Sequence, residues 1–381
     1  MYFKACTFIF TTLVFFFVFK DTFAQQGPYL FKKLKYHKSE VLSIAFSPDG
    51  CYLLSGSADN KVVLYDIEQD KTILDFEAHL AGVQDVDFLS MGQKFITAGD
   101  KSIKVWSFEG VQEKIFRGHY TYIWSFGVNP SNTYIVSGSY EDDFYLWDFN
   151  KNELITRVKG HDKSVLAVAI SPDNKIVATG SLDQTVKIWE LETQNLIHTF
   201  EGHAGNIMAL TFSKDGRYLL SASLDKNLKL WDVQNKTFVM NYVGHENGVL
   251  CCDFSSDRRH IISAGMDKSI KLWETSTAEC IYIFNSHEEA VNSICYSPSG
   301  ESFASGSNDK TVIIWSVEPE IFVNYYYVEE FYEELENSGL WGPKRDGESR
   351  DEFKVRSEEA DKYKKSLIEK YYQKYLKEIK K

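Results

Sequence analysis

From about residue 41 to residue 316 the chain is written in short runs of β-branched and aromatic residues, separated by small clusters of turn formers. Val165 to Ile170, Lys175 to Thr179 and Val186 to Trp189 are three consecutive runs of this kind. Runs of such length and composition predict strands. The first two are divided by Ser171-Pro172-Asp173-Asn174, with Pro at the second position of a type I turn. Ser47-Pro48-Asp49-Gly50 and Ser297-Pro298-Ser299-Gly300 do the same elsewhere. A fourth run, such as Asn195 to Glu201, follows the third in every unit but the last. The pattern therefore predicts units of four short antiparallel strands. After residue 318 it changes: Tyr363, Leu367, Tyr371, Tyr375 and Ile379 recur at helical spacing. Ser357 is placed to cap this helix, with Glu358, Glu359 and Asp361 in its first turn and lysines at its end. The expectation is a helix near 357–380 within a C-terminal tail, 318–381, whose apolar stripe is buried either on the rest of the chain or on another one.

The strand units are copies of one another. A histidine returns at His37, His79, His119, His161, His203, His245 and His287, with gaps of 42, 40, 42, 42, 42 and 42 residues. Trp106, Trp147, Trp189, Trp231, Trp273 and Trp315 keep step, and Tyr65 stands in the first unit. Six residues before each aromatic sits an acid (Asp59, Asp100, Glu141, Asp183, Asp225, Asp267, Asp309). About ten before it sits a hydroxyl (Ser55, Thr97, Ser137, Thr179, Ser221, Ser263, Ser305). A period of roughly 40–45 residues predicts a ring of small sheets, each a propeller blade. The last unit lacks a fourth strand, while an orphan strand, Tyr29 to Tyr36, precedes His37. The strands balance if that orphan completes the seventh blade and closes the ring, leaving no open end.

These markers, together with Gly118, Gly160, Gly202 and Gly244 before the histidines and pairs such as Trp189-Glu190 and Trp231-Asp232, resemble the WD-repeat family over residues 29 to 317. The resemblance implies an all-β, seven-bladed β-propeller, here with an α-helical C-terminal extension. It also implies that His, hydroxyl, Asp and Trp form a buried hydrogen-bonded chain in each blade. For the central units these tetrads are His161, Thr179, Asp183 and Trp189; His203, Ser221, Asp225 and Trp231; and His245, Ser263, Asp267 and Trp273. A structural role suits them, since nucleophile, base and orienter of an enzyme must meet in one cleft rather than recur seven times. Some family members act as ubiquitin-ligase adaptors through Trp-Asp-x-Arg. This chain reads Trp147-Asp148-Phe149-Asn150 and Trp231-Asp232-Val233-Gln234, without the arginine. Tyr65, Glu141 and a shortened second unit at Gly99-Asp100 depart from the pattern and should weaken the local chain.

Removing the scaffold residues leaves little that suggests chemistry. Seven of nine histidines and six of eight tryptophans belong to the repeat. No motif for a catalytic site, a metal or a cofactor remains, so an enzyme is not expected. Two slots in each unit lie, by the resemblance, at the rim of the central opening, on the face that most often meets partners. In units three to six they hold Trp124 and Tyr140, Leu166 and Leu182, Met208 and Leu224, and Leu250 and Met266. Eight large apolar side chains there predict a surface for a protein or peptide partner, unless they plug the opening or the tail covers them. The expected function is a non-enzymatic interaction scaffold. The alternatives are a structural subunit held through its C-terminal helix and, behind it, a propeller enzyme.

Charge and the first residues add two constraints. A net charge of −12 disfavours nucleic acid or anionic lipid as the main partner. Lys4 precedes an apolar stretch from Ala5 to Phe19, followed by a polar step after Ala24. This reads as a secretory signal peptide, residues 1–24, with cleavage after Ala24 and a secreted or periplasmic destination. The stretch is short for a membrane-spanning helix, which needs about 20 residues. The five cysteines beyond it (Cys51, Cys251, Cys252, Cys280, Cys295) match no zinc spacing and read as strand filler, with a Cys252–Cys295 bridge the conceivable exception.

Overall fold

The computed structural model describes residues 30–90 and 92–379. The expected signal segment lies outside them. Within them seven four-stranded antiparallel sheets form a closed seven-bladed propeller. Blade one is β2 to β5 (Val41–Phe46, Tyr52–Ser57, Lys61–Asp66, Lys71–Glu77). Blade two is β6 to β9 (Val83–Phe88, Lys94–Gly99, Ser102–Ser107, Gln112–Arg117). Blade three is β10 to β13 (Ile123–Val128, Tyr134–Ser139, Asp143–Asp148, Glu153–Lys159). Blades four, five and six follow as β14 to β17 (165–170, 176–181, 186–190, 196–200), β18 to β21 (207–212, 218–223, 227–232, 237–243) and β22 to β25 (249–254, 260–265, 270–274, 280–284). Blade seven takes β26 to β28 (Val291–Tyr296, Ser302–Ser307, Val312–Ser316) from the end of the ring and β1 (Leu30–Leu34) from its beginning. The orphan strand thus closes the ring, with Leu30 opposite Trp315 and Leu34 opposite Val312.

The core lies between blades rather than inside any one of them. Val41, Val83, Ile123, Val165, Ile207, Val249 and Val291, the first residues of the innermost strands, are fully buried. Each packs in a cluster built from two neighbouring blades, as where Val165 and Val168 meet Val136 and Leu146. Gly160 shows how tight the fit is: a Cβ there would lie 1.9 Å from the Trp189 ring. Only glycine lets that indole reach its place.

The tail differs from expectation in extent. Two short helices, α1 (Pro319–Tyr326) and α2 (Val328–Asn337), precede a long one, α3 (Arg350–Ile379). The long helix begins seven residues before the expected Ser357. Its start is a reciprocal cap: Glu352 N–H donates to Ser349 Oγ at 3.1 Å, and Ser349 N–H donates to Glu352 Oε2 at 2.8 Å. The three helices fold against blades six and seven. Ile321, Phe322, Val323, Phe331, Leu335, Leu367, Tyr371 and Tyr375 share one core with Ile262, Phe284, Phe303 and Trp315. The predicted stripe is therefore buried on the chain's own propeller, and the rim is not covered by it. Acidic α2 and lysine-rich α3 are also paired, Glu334 with Lys370 at 2.6 Å and Glu330 with Lys374 at 3.7 Å. Among the described residues no helix is long and apolar enough to cross a membrane.

Candidate functional site: the propeller rim

The repeat residues form one hydrogen-bonded chain per blade, and its direction can be followed. In blade four Trp189 Nε1–H donates to Thr179 Oγ1 at 2.8 Å. Thr179 Oγ1 lies 2.7 Å from His161 Nε2, and His161 Nδ1 lies 2.8 Å from Asp183. Asp183 also accepts from Thr185. Burial alone would raise the Asp183 carboxyl, but hydrogen bonds from Thr185 and His161 hold it at about 2. Burial lowers His161, against the pull of Asp183. A neutral ring therefore donates through Nδ1 and accepts the threonine proton at Nε2. His203, Ser221, Asp225 and Trp231 make the same three contacts, His–Ser, His–Asp and Trp–Ser, at 2.8, 2.7 and 2.9 Å. His245, Ser263, Asp267 and Trp273 do so at 2.7, 2.7 and 2.8 Å. Each hydroxyl is fully enclosed and has both its bonds made inside the blade, so no substrate could reach it.

The three departures behave differently from one another. In blades two and three the acid stands 3.4 Å from the histidine, and His79 Nδ1 and His119 Nδ1 lack a hydrogen-bond partner among the described residues. Asp100 is forced to φ 23° by the shortened turn. Glu141 instead accepts from the Tyr120 and Thr121 amides and from Tyr145 O–H. In blade one no indole reaches the serine; instead Ser55 Oγ–H donates to the hydroxyl of Tyr36, two residues after the closing strand, at 3.2 Å. Tyr65 donates to Asp70 instead.

The rim slots have a common cause. In every blade the innermost strand is bulged between its first and third residues. The bulged residue is the first rim slot: Leu42, Gln84, Trp124, Leu166, Met208, Leu250 and Asn292. A bulge re-aims its side chain, here toward the mouth of the channel. Leu42, Gln84, Trp124, Met208, Leu250 and Asn292 line a cavity of about 310 Å³ there. The eight expected partner residues are not equivalent. Leu166 is buried, at 3% exposure, and offers no surface. Trp124, Leu182, Met208, Leu224 and Leu250 are half-buried, whereas Tyr140 and Met266 are exposed.

Among the described residues, three exposed tyrosines gather at blade three, a group only half anticipated. Tyr120 and Tyr122, in the loop after His119, are 65% and 50% exposed and join Tyr140 at 49%. Trp124 packs edge-to-face on Tyr140, centroids 5.4 Å apart. Leu80, at the matching place in blade two, is 93% exposed. The signal was available, since the residue after the histidine is Lys, Asp, Ala or Glu in the other five units. Charge in the channel was missed altogether. Asp85 bridges three blades, accepting from Ser43 Oγ of blade one and Phe126 N–H of blade three, both at 2.9 Å. Asp253 accepts from Tyr296 N–H at 2.9 Å. Burial within the ring wall pushes Asp85 up to about 7 and Asp253 up to about 6, despite these bonds. They tie innermost strands together. Among the described residues no His, Cys, Asp and Glu cluster is arranged to hold a metal ion, and all five described cysteines are free.

A closed ring of seven antiparallel blades, each locked by the same buried polar chain, defines a repeat propeller. Comparison with known proteins specifies the repeat. WD40 repeats (WD domain, G-beta repeat) are found at 29–66, 70–107 and 110–148, and residues 139–317 match the WDR3 first beta-propeller domain. Among curated relatives, human pre-mRNA-processing factor 17 is 31% identical over 32% of this chain and 30% of its own. The WD repeat domain-containing protein 83 homolog of Dictyostelium discoideum is 28% identical over 32% of this chain and 38% of its own. WD repeat and SOCS box-containing protein 1 of Xenopus tropicalis is 34% identical over 28% of this chain and 26% of its own. The chain thus spans between a quarter and two fifths of the length of these relatives.

Proposed function

We propose that this chain is a non-enzymatic interaction scaffold that holds a protein segment against the rim of its propeller, centred on blade three. The observation that carries the reading is the exposed trio Tyr120, Tyr122 and Tyr140 beside half-buried Trp124, which lines the channel mouth. Aromatic residues are enriched at interface centres, and several on one rigid edge can bind with little ordering cost. Leu182, Leu224 and Met266 extend the surface around the rim. The WD40 repeats support the same reading. The buried tetrads supply rigidity, and no cofactor takes part. The tail adds mass to blades six and seven and leaves the blade-three rim open, which favours a scaffold over a subunit held through its helix. Export through residues 1–24 belongs to the proposal. N-terminal sequencing of protein from the source cell tests it, with Gln25 expected as the first residue.

The experiment is affinity capture with the wild-type protein beside the folded Trp124→Glu/Leu182→Glu variant. A partner held by wild type and released by the variant supports the reading. Identical capture by both would contradict it.

A further inference from the structure

We propose that Asn247 is a self-modifying site: its side chain condenses with the Gly248 nitrogen to a succinimide, which water opens to aspartate and isoaspartate in the blade-six loop. This goes beyond the reading of the rim as a partner site and does not depend on it.

Sequence and geometry coincide at this link. Of the chain's asparagines, only Asn247 is followed by glycine. Without a Cβ, glycine lets another group approach its backbone closely. Asn247 is exposed, in the loop between β21 and β22. Gly248 N–H donates to Asn247 Oδ1 at 2.8 Å, which turns the side chain back along the main chain and brings Cγ toward the Gly248 nitrogen. Holding two reacting groups in such a pose replaces a conformational search by a short approach. Asn292, which precedes Ser293, is held otherwise. Its Nδ2 donates to the Val41 carbonyl at 2.9 Å and to Asn308 Oδ1 at 2.6 Å, so its amide is tied to other residues.

The reaction needs only water and a solvent base. The base takes the Gly248 amide proton, and the nitrogen attacks Asn247 Cγ. The N–Cγ bond forms as the Cγ–Nδ2 bond breaks, and Nδ2 leaves as ammonia with a proton from water. Water then adds to one of the ring's two carbonyl carbons. Breaking the N–Cγ bond gives aspartate and restores the main chain. Breaking the bond between the Gly248 nitrogen and the Asn247 carbonyl carbon gives isoaspartate, whose main chain runs through Cβ and Cγ.

Both products place a carboxylate where a neutral amide stood, next to rim residues. A Cβ on Gly248 would lie 2.7 Å from Leu224 Cδ2 and 3.5 Å from Met266 Sδ. Isoaspartate also lengthens the chain between two fixed points. Glu246 N–H donates to Asp267 at 2.9 Å, and the Gly248 carbonyl accepts from Met266 N–H at 2.8 Å. Blade five is fastened the same way, Ala204 to Asp225 and Leu224 to Asn206. A loop with an extra methylene between these anchors cannot keep both bonds.

The test is peptide mapping of the full chain aged at neutral pH, with electron-transfer fragmentation to separate aspartate from isoaspartate. Conversion at Asn247 is expected to run about ten-fold or more ahead of that at Asn285, Asn292 and Asn337, the asparagines followed by serine. It should run at least as fast in the folded chain as in guanidinium chloride, because the fold supplies the pose. Asn247→Gln, an exposed change, should fold as wild type and abolish the acidic species seen on isoelectric focusing. In the isoaspartyl product, hydrogen exchange at the Met266 amide should rise about five-fold or more, as for one lost hydrogen bond. Conversion at Asn247 that does not outpace the three other asparagines, or that is slower in the folded chain than in denaturant, overturns the proposal. Unchanged exchange at Met266 in the isoaspartyl product overturns its structural consequence.

Discussion

Replacing Thr179 by Val in blade four removes one hydroxyl and keeps the branched shape. That hydroxyl accepts the Trp189 indole proton at 2.8 Å and donates to His161 Nε2 at 2.7 Å, in a site with no solvent access. Two buried polar groups lose their partner at once. Neither finds a replacement, because the Trp189 side of the blade is packed with Val136, Phe144 and Leu146 of the neighbouring blade and with Val165, Val168 and Val177. Each stranded group costs about 1–3 kcal/mol, so the loss should fall at about 2–6 kcal/mol. Urea unfolding followed by tryptophan fluorescence measures it, and hydrogen exchange should show blade four opening first. Binding at the rim should be unchanged while the protein remains folded. A loss below about 1 kcal/mol would refute the view that the tetrads are satisfied chains whose members need each other.

Further outcomes follow from the same structure. Asp85 is held near 7 in the fold, above its ordinary 3.8. The folded state therefore keeps that proton longer than the unfolded state, and stability from this group falls as pH rises from about 4 to about 7. Asp85→Asn should thus gain on wild type across that window and run parallel above it in a series of denaturation curves. Parallel curves throughout would contradict the assignment. His119, pushed by burial to about 4, has the opposite slope over about 4 to 6.5, so the difference between the two proteins is the quantity to read. Phe331→Ala empties a fully buried site between the tail helices and should cost about 3–5 kcal/mol. Exchange protection should vanish from α3 before it changes in the blades. Arg356 is a buried guanidinium that donates to the Leu340, Gly342 and Pro343 carbonyls and to both Glu348 oxygens. Arg356→Lys cannot reproduce that fork and should make residues 339–348 the first site of limited proteolysis.

The ring was legible because its information is repeated. Seven histidine–hydroxyl–acid–aromatic units at near-constant spacing leave one architecture, and strand counting alone placed β1 in blade seven. Local substitutions were harder to weigh. Tyr65 read as a weakened blade, but Ser55 finds a partner in the hydroxyl of Tyr36, 29 residues before Tyr65 in the chain, which no local pattern encodes. The helix start was misplaced because Ser357 is followed by acids just as Ser349 is. Only the reciprocal bonds of Ser349 and Glu352 choose between them. The rim slots were identified through the repeat, yet their exposure was not. Leu166 and Leu250 occupy the same slot in their units, yet the first is buried and the second half-buried. The channel carboxylates escaped notice because an isolated Asp in a strand carries no motif. Their meaning is set by the adjacent blades, contacts that lie about 40 residues away.

The central claim is that a partner meets the blade-three rim, and contact mapping tests it most directly. A photo-crosslinking residue at Tyr140, and in separate proteins at Phe238 on the outer edge of blade five and at Trp341 in the tail, would be activated in the presence of the captured partner. The account predicts an adduct from position 140 and none from 238 or 341. An adduct from 238 or 341 with none from 140 would contradict it.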